Sequence, residues 1–259
     1  LGQIDLTEGK RKKMKEGSEV KTFSVPYSLG EIKENISITT NIPSYPSKEQ
    51  IINQALKFHS EGNIKEAIRV YKYFINQGFE DHRVFSNYGI LLINFGRMQE
   101  AELSIRKAIE INPNFANAHS NLGSIQRNLG KLKDAEISYK KALKLDSNFA
   151  DAHYNLGCIL TNLGRLKEAE ISTRKAIEIN PNFADAHINL GLILNALGKI
   201  KEAELSTLTG IELKPNLAKA HANLGTILRN LGRLKDAELS TRKAIELNPN
   251  FSMTYSNLG

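Results

Sequence analysis

The sequence predicts an all-α solenoid built from helix–turn–helix repeats. Three observations carry that prediction: a period of 34 residues, small residues at fixed phases within it, and helix-stopping residues at two other phases. Asn-Leu-Gly begins at Asn121, Asn155, Asn189, Asn223 and Asn257, and Asn87-Tyr88-Gly89 stands one period earlier. With that glycine as the eighth position, units begin at His82, Ala116, Ala150, Ala184, Ala218 and Ser252. A divergent copy, with Ala55 in place of the glycine, begins at Lys48. The array therefore spans 48–259, as units 48–81, 82–115, 116–149, 150–183, 184–217 and 218–251 and a partial unit 252–259.

Each fixed position has a mechanical reason. A glycine inside a helix costs roughly 1 kcal/mol relative to alanine. Its recurrence at position eight points to a place where two helices come too close for a Cβ. Position fifteen is Gly62, Gly96, Gly130, Gly164, Gly198 and Gly232, which end the first helix as a C′ glycine does. The second helix carries Ala67, Ala101, Ala135, Ala169, Ala203 and Ala237 at position twenty. At position twenty-seven it carries Ala108, Ala142, Ala176, Gly210 and Ala244. These two rows lie on one helix face and seat it against its partner. Pro113, Pro181, Pro215 and Pro249, with Ser147 in one unit, stop the second helix. The asparagine after each (Asn114, Asn148, Asn182, Asn216, Asn250) is placed to cap the next one. No such hairpin buries its apolar face alone, so stacking supplies the core.

Residues 1–47 show no period and contain Gly2, Gly9, Gly17, Gly30, Pro26, Pro43 and Pro46 among few large apolar residues. They read as a flexible tail or linker. The formal charge is +7, and the basic and acidic residues mostly alternate. Alternation favours a solvated face over a nucleic-acid footprint. No run of 18 apolar residues suggests a membrane span, and Lys10 to Lys15 lead into polar sequence, not into a signal core. Cys158 is the sole cysteine, which excludes an intrachain disulfide and suits a reducing cytoplasm.

Over residues 48–259 this pattern resembles the tetratricopeptide repeat (TPR) family. The resemblance implies antiparallel helices within each unit, a right-handed superhelix, and first helices that line a concave groove. Asn87, Asn121, Asn155, Asn189 and Asn223 then fall at one phase of successive first helices, position six. A second row sits seven residues on, at Asn94, Asn128, Asn162 and Asn230, with Ala196 as the gap. An amide offers both a donor and an acceptor, so it can pair with a peptide backbone of almost any sequence. These nine asparagines are the candidate peptide-binding residues. The array also resembles the TPR superhelix of peptide O-GlcNAc transferases, in which an asparagine ladder holds the substrate backbone. The run Asn182-Phe183-Ala184-Asp185-Ala186-His187-Ile188-Asn189-Leu190-Gly191 carries that likeness. Family members that clamp acidic chaperone tails use Lys at position five with Asn at nine, a pair found in no unit here.

Other patterns read as structural. His119, His153, His187 and His221 recur at position four. Stacked helices lie roughly 8–10 Å apart, too far for neighbouring rungs to share a zinc whose donors sit at about 2.1 Å. Packing is the expected role, and no metal or cofactor is implied. Glu102, Glu136, Glu170, Glu204 and Glu238 recur beside Lys and Arg, as i,i+4 pairing requires. In unit 184–217, Leu208-Thr209-Gly210 replaces the Arg-Lys-Ala of its neighbours and reads as a soft point. Nucleotide, hydrolase and zinc-protease motifs are absent from the sequence.

The expected function is a scaffold that binds extended peptide segments, with protein partners and neither nucleic acid nor membrane among them. Because the array stops in mid-helix at Gly259, the alternative is the recruiting arm of a longer enzyme, such as an O-GlcNAc-type glycosyltransferase or a sulfotransferase. Helical-hairpin RNA readers have a 35-residue period, whereas this one holds at 34 without drift. Position twenty-four is Thr173, Thr207 and Thr241 where the family favours an aromatic. Phe115, Phe149, Phe183 and Phe251, which close their units, are expected to restore that apolar volume. Phe183→Ala should then cost roughly 3–5 kcal/mol in chemical denaturation; a loss under about 1 kcal/mol would contradict it.

Overall fold

The computed structural model describes residues 46–250. The expected tail over 1–47, apart from Pro46 and Ser47, and the partial unit 252–259 lie outside the described residues, as do Phe251 and Asn257. The described chain is twelve α-helices in hairpin pairs. These are α1 (Lys48–Ser60) and α2 (Ile64–Asn76), α3 (His82–Asn94) and α4 (Met98–Ile111), α5 (Ala116–Asn128) and α6 (Leu132–Leu145). They continue with α7 (Ala150–Asn162) and α8 (Leu166–Ile179), α9 (Ala184–Ala196) and α10 (Ile200–Leu213), α11 (Ala218–Asn230) and α12 (Leu234–Leu247). No described helix is long and apolar enough to cross a membrane.

The described residues divide into two compact units, 46–79 and 80–250. In the first, Ser47 and Gln50 form a capping box at the start of α1. Ile51, Ile52, Ala55, Ala67, Val70, Tyr71 and Phe74 are its buried residues. In the second unit, five hairpins stack into a right-handed α-α solenoid.

Each hairpin turns as the sequence predicts. Gly130, with φ of 75°, is representative of position fifteen. Its N–H donates to the Arg127 carbonyl at 3.0 Å, and Lys131 N–H donates to the Gln126 carbonyl at 2.8 Å. That pair of bonds satisfies two carbonyls left open at the helix end, and only glycine enters this left-handed region without a Cβ penalty.

Within the hairpin the position-eight glycine meets position twenty-four of the second helix. A Cβ on Gly89 would lie 2.7 Å from Ile105 Cδ1, and one on Gly225 would lie 2.5 Å from Thr241 Oγ1. Thr173 and Thr207 fill the same notch and are fully buried. Among the closing phenylalanines, Phe115 and Phe149 pack against the clusters that hold Ile105 and Tyr139, and two of the described rings meet first-helix rings. Phe115 packs 4.7 Å from His82 and Phe183 packs 4.9 Å from Tyr154, centroid to centroid. Phe183 is only half-buried, which places its truncation cost at the bottom of the range given above.

The junction between units differs from the expected cap. Helices α5, α7, α9 and α11 start after Phe115, Phe149, Phe183 and Leu217, none of which supplies a side-chain cap. The polar turn forms upstream: Asn112 Oδ1 accepts from Asn114 N–H at 3.1 Å, and Asp146 Oδ1 from Asn148 N–H at 2.9 Å. This Asx turn satisfies the backbone before the helix begins. The position-four histidines fasten the same loop. Nε2–H of His119, His153, His187 and His221 donates to the carbonyls of Pro113, Ser147, Pro181 and Pro215 at 2.9, 3.1, 2.9 and 2.8 Å.

Four of the position-twenty-one glutamates, Glu102, Glu136, Glu170 and Glu204, reach across to the next unit. Each takes the basic residue at position sixteen of that unit: Glu102 with Lys131 (3.6 Å), Glu136 with Arg165 (2.7 Å), Glu170 with Lys199 (2.9 Å) and Glu204 with Arg233 (2.5 Å). Lys140 first, and Arg165 after it, hold the Glu136 carboxyl below its usual value of 4.5 against the opposing effect of desolvation. Arg106 does the same first for Glu102.

The expected soft point in unit 184–217 has a packing reason. Helix α10 runs unbroken through it, and a Cβ on Gly210 would lie 2.6 Å from Ile188 Cγ1. Gly210 is small because Ile188 is large. Gly210→Ala should therefore destabilise the chain, overpacking of about 1–3 kcal/mol outweighing the roughly 1 kcal/mol gained in helix propensity. In an Ile188→Ala background the same change should stabilise; an unchanged sign in a urea double-mutant cycle would refute the pairing.

A carboxyl held low in the folded state stabilises above its unfolded value and loses that contribution as pH falls through the folded value. Stability should thus drop below about pH 4.5, and Glu136→Gln should shrink the difference between urea midpoints at about pH 6 and pH 3.5. An undiminished difference would mean that the ladder contributes nothing.

Candidate functional site: the inner face of the first helices

In the larger unit α3 meets α5, α5 meets α7, α7 meets α9 and α9 meets α11, whereas no two second helices approach as closely. The first helices therefore line the inner, concave side. Position eight and its flanks are committed to the hairpin partner, which leaves positions two, nine, twelve and thirteen as the accessible stripe. Position nine is Ile90, Ser124, Cys158, Leu192 and Thr226, all half-buried. Position twelve is Ile93, Arg127, Thr161, Asn195 and Arg229, of which only Arg229 is exposed and the others are half-buried.

The two asparagine rows separate by burial. Asn94, Asn128, Asn162 and Asn230 are exposed along the stripe. Ala196 interrupts them in sequence, but the half-buried Asn195, one residue earlier, closes the gap: Asn230 Nδ2 donates to Asn195 Oδ1 at 2.9 Å. The amide row therefore continues where the sequence shows a break.

The position-six row lies deeper and is engaged with the preceding unit. Asn87, Asn121 and Asn155 are half-buried. Asn121 Nδ2 donates to Ser86 Oγ at 3.1 Å, and Asn155 Oδ1 accepts from Arg127 Nη1 at 2.9 Å. Asn189 and Asn223 are only 5% and 3% exposed. Asn189 Nδ2 reaches Thr173 Oγ1 at 3.5 Å. The corresponding atoms one unit on, Asn223 Nδ2 and Thr207 Oγ1, are buried without a hydrogen-bond partner among the described residues. Asn189 thus faces a threonine that fills the glycine notch.

Around α7 the inner face becomes aromatic and weakly polar. The Ser124 and Tyr139 hydroxyls lie 3.0 Å apart. Burial pushes the Cys158 thiol and the Tyr154 phenol up, so both stay neutral at physiological pH. Burial also lowers His153. Among the described residues no three His, Cys, Asp or Glu side chains gather as a metal site would require.

The outer side holds a feature that the sequence-based expectations did not include. Leu103, Ile137, Ile171, Leu205 and Leu239, at position twenty-two of successive second helices, are 67–71% exposed. Beside Leu205 a depression of about 430 Å³ opens between α8 and α10, lined by Ile177, Leu190 and Leu194 as well. A matched row of aliphatics at one phase was the available sequence signal, masked because leucine and isoleucine on a helix are ordinarily taken as core.

Comparison with known proteins agrees with the geometry. Tetratricopeptide repeat models match residues 82–115, 105–137, 150–183, 173–204 and 218–251, and a TPR repeat model matches 124–164. No curated protein sequence matches the chain. Among solved structures, YrrB, a TPR protein with an unusual peptide-binding site, is 25% identical over 72% of this chain and 96% of its own, with a TM-score of 0.58. MamA is 26% identical over 66% of this chain and 96% of its own, with a TM-score of 0.56. A thermophilic TPR protein in Thermus thermophilus, 23% identical over 69% of this chain and 99% of its own at a TM-score of 0.57, shares the fold. These matches carry the repeat family; they do not reach the finer likeness to peptide O-GlcNAc transferases.

Proposed function

The chain belongs to the tetratricopeptide repeat family, and from that premise we propose that the concave face of its larger unit binds extended peptide segments of protein partners. The carrying observation is the exposed amide row of Asn94, Asn128, Asn162 and Asn230, bridged by Asn195, along successive first helices. Amides at a constant phase offer a donor and an acceptor per unit, which matches the alternating carbonyls and N–H groups of an extended chain. YrrB, similar over most of its length, is described as having an unusual peptide-binding site, which supports the same use here.

Within this reading the two rows divide the work. The exposed row and the half-buried Asn87, Asn121 and Asn155 meet the peptide. Asn189 and Asn223 hold neighbouring units in register, because their burial leaves little amide surface for a ligand. The varied side chains at positions nine and twelve supply the selectivity that a backbone-directed row lacks.

The test is peptide binding by the Asn128→Ala, Asn162→Ala, Asn230→Ala triple variant. Each lost hydrogen bond is worth about 0.5–1.5 kcal/mol, so affinity should fall tenfold or more while circular dichroism stays unchanged. If the triple variant binds as the parent does, while Ile171→Ser on the outer side abolishes binding, the concave assignment is wrong.

A further inference from the structure

We propose that the concave face selects segments carrying two anionic side chains, anchored by Arg127 and Arg229; the inference rests on the peptide-binding reading above and specifies its ligand. Of the ten described arginines, eight are ion-paired: Arg69, Arg83, Arg97, Arg106, Arg165, Arg174, Arg233 and Arg242 each lie within 3.5 Å of a carboxylate. Arg127 and Arg229 have no carboxylate partner among the described residues. Both occupy position twelve of a first helix, on the accessible inner stripe, in units three repeats apart. The described arginines are thus matched except at two equivalent points of the groove.

The charge balance of the same surface points the same way. Helices α5, α7, α9 and α11 carry only Arg127, Asp151, Asp185, Lys219 and Arg229 as charged residues. Asp185 is already taken by Lys214 at 2.6 Å. Three cations then face the groove against the single carboxylate of Asp151. On the outer side, by contrast, the Glu102 to Glu204 ladder is neutralised unit by unit.

Arg127 is also oriented. Its Nη1 donates to Asn155 Oδ1 at 2.9 Å, which fixes the guanidinium plane and leaves its other N–H donors for a ligand. An arginine has five such donors in a planar fork that fits a carboxylate or a phosphate through two parallel bonds. Between the two anchors the stripe is uncharged, with Thr161 and Asn195 at position twelve and Cys158 and Leu192 at nine. An anion would gain there only at the two ends. Adjacent first helices roughly 8–10 Å apart put the anchors about 24–30 Å from each other. An extended peptide advances about 3.3 Å per residue, so the two anionic side chains should stand about seven to nine residues apart.

Fluorescence anisotropy with the full chain tests this with synthetic peptides of one otherwise neutral sequence. Two positions, about eight residues apart as the strand rise requires, carry Glu, phosphoserine or Gln. The Glu or the phosphoserine peptide should bind at least tenfold tighter than the Gln peptide, and whichever of the two leads identifies the anion as carboxylate or phosphate. Moving the charges to about three residues apart, too close to span both anchors, should erase most of that preference. Arg229→Gln, at an exposed position, and Arg127→Gln should each reduce the preference several-fold, with Arg127→Lys recovering only part of it. Equal binding of all three peptides, unchanged in both variants, overturns the inference and leaves the peptide-binding reading standing. Binding of none of them, together with no response to the asparagine triple variant, overturns both. Tighter binding of an oligouridylate than of any peptide also overturns it, in favour of nucleic acid.

Discussion

The contact on which the rest of this structure depends is the approach of two helices at the eighth position of each unit from His82 to Asn250. There the first helix presents bare backbone, and position twenty-four of the second helix enters the space a Cβ would occupy. Because proteins pack at crystal-like density, that one missing carbon sets the distance and tilt of the hairpin. The alanines at positions twenty and twenty-seven then seat at full burial. A hairpin closed this tightly has an apolar edge that only another hairpin can cover, so the solenoid follows from the notch.

The notch also explains why the polar rows differ. In the unit where position twenty-four is Tyr139, its hydroxyl meets Ser124, and Asn155 in the next unit is left to hold Arg127. Where it is Thr173, a hydroxyl lies deep between units and the next asparagine, Asn189, turns inward to meet it. The same asparagine type at the same phase is therefore half-exposed in one unit and buried in another. What decides is the volume and polarity of a residue sixteen positions earlier, on the preceding second helix.

Two kinds of cross-unit restraint accompany the packing. Histidines clip four of the first helices to the loop before them through a carbonyl, and glutamates reach a basic residue of the following unit. Exposed ion pairs are individually weak, and these acquire weight by recurring with the repeat and by lying partly shielded against the next turn. Repeat proteins distribute stability over such neighbour terms instead of concentrating it in one centre.

The sequence by itself determined the period, the helix pairs, the glycine turns and the amide rows, because these follow from short-range rules that repeat every 34 residues. Even the divergent Gly210 was visible as an exception, though its cause, the bulk of Ile188, was not. Tertiary structure alone decided which asparagines reach solvent and moved the junction's polar turn from Asn114 to Asn112. It also closed the row at Ala196 through Asn195, and left Arg127 and Arg229 without a carboxylate among described arginines that are otherwise matched. The physical reason is range. Helix formation is settled within a few residues, whereas exposure and ion pairing depend on side chains that arrive from the next unit, about one repeat away, at an angle set by stacking.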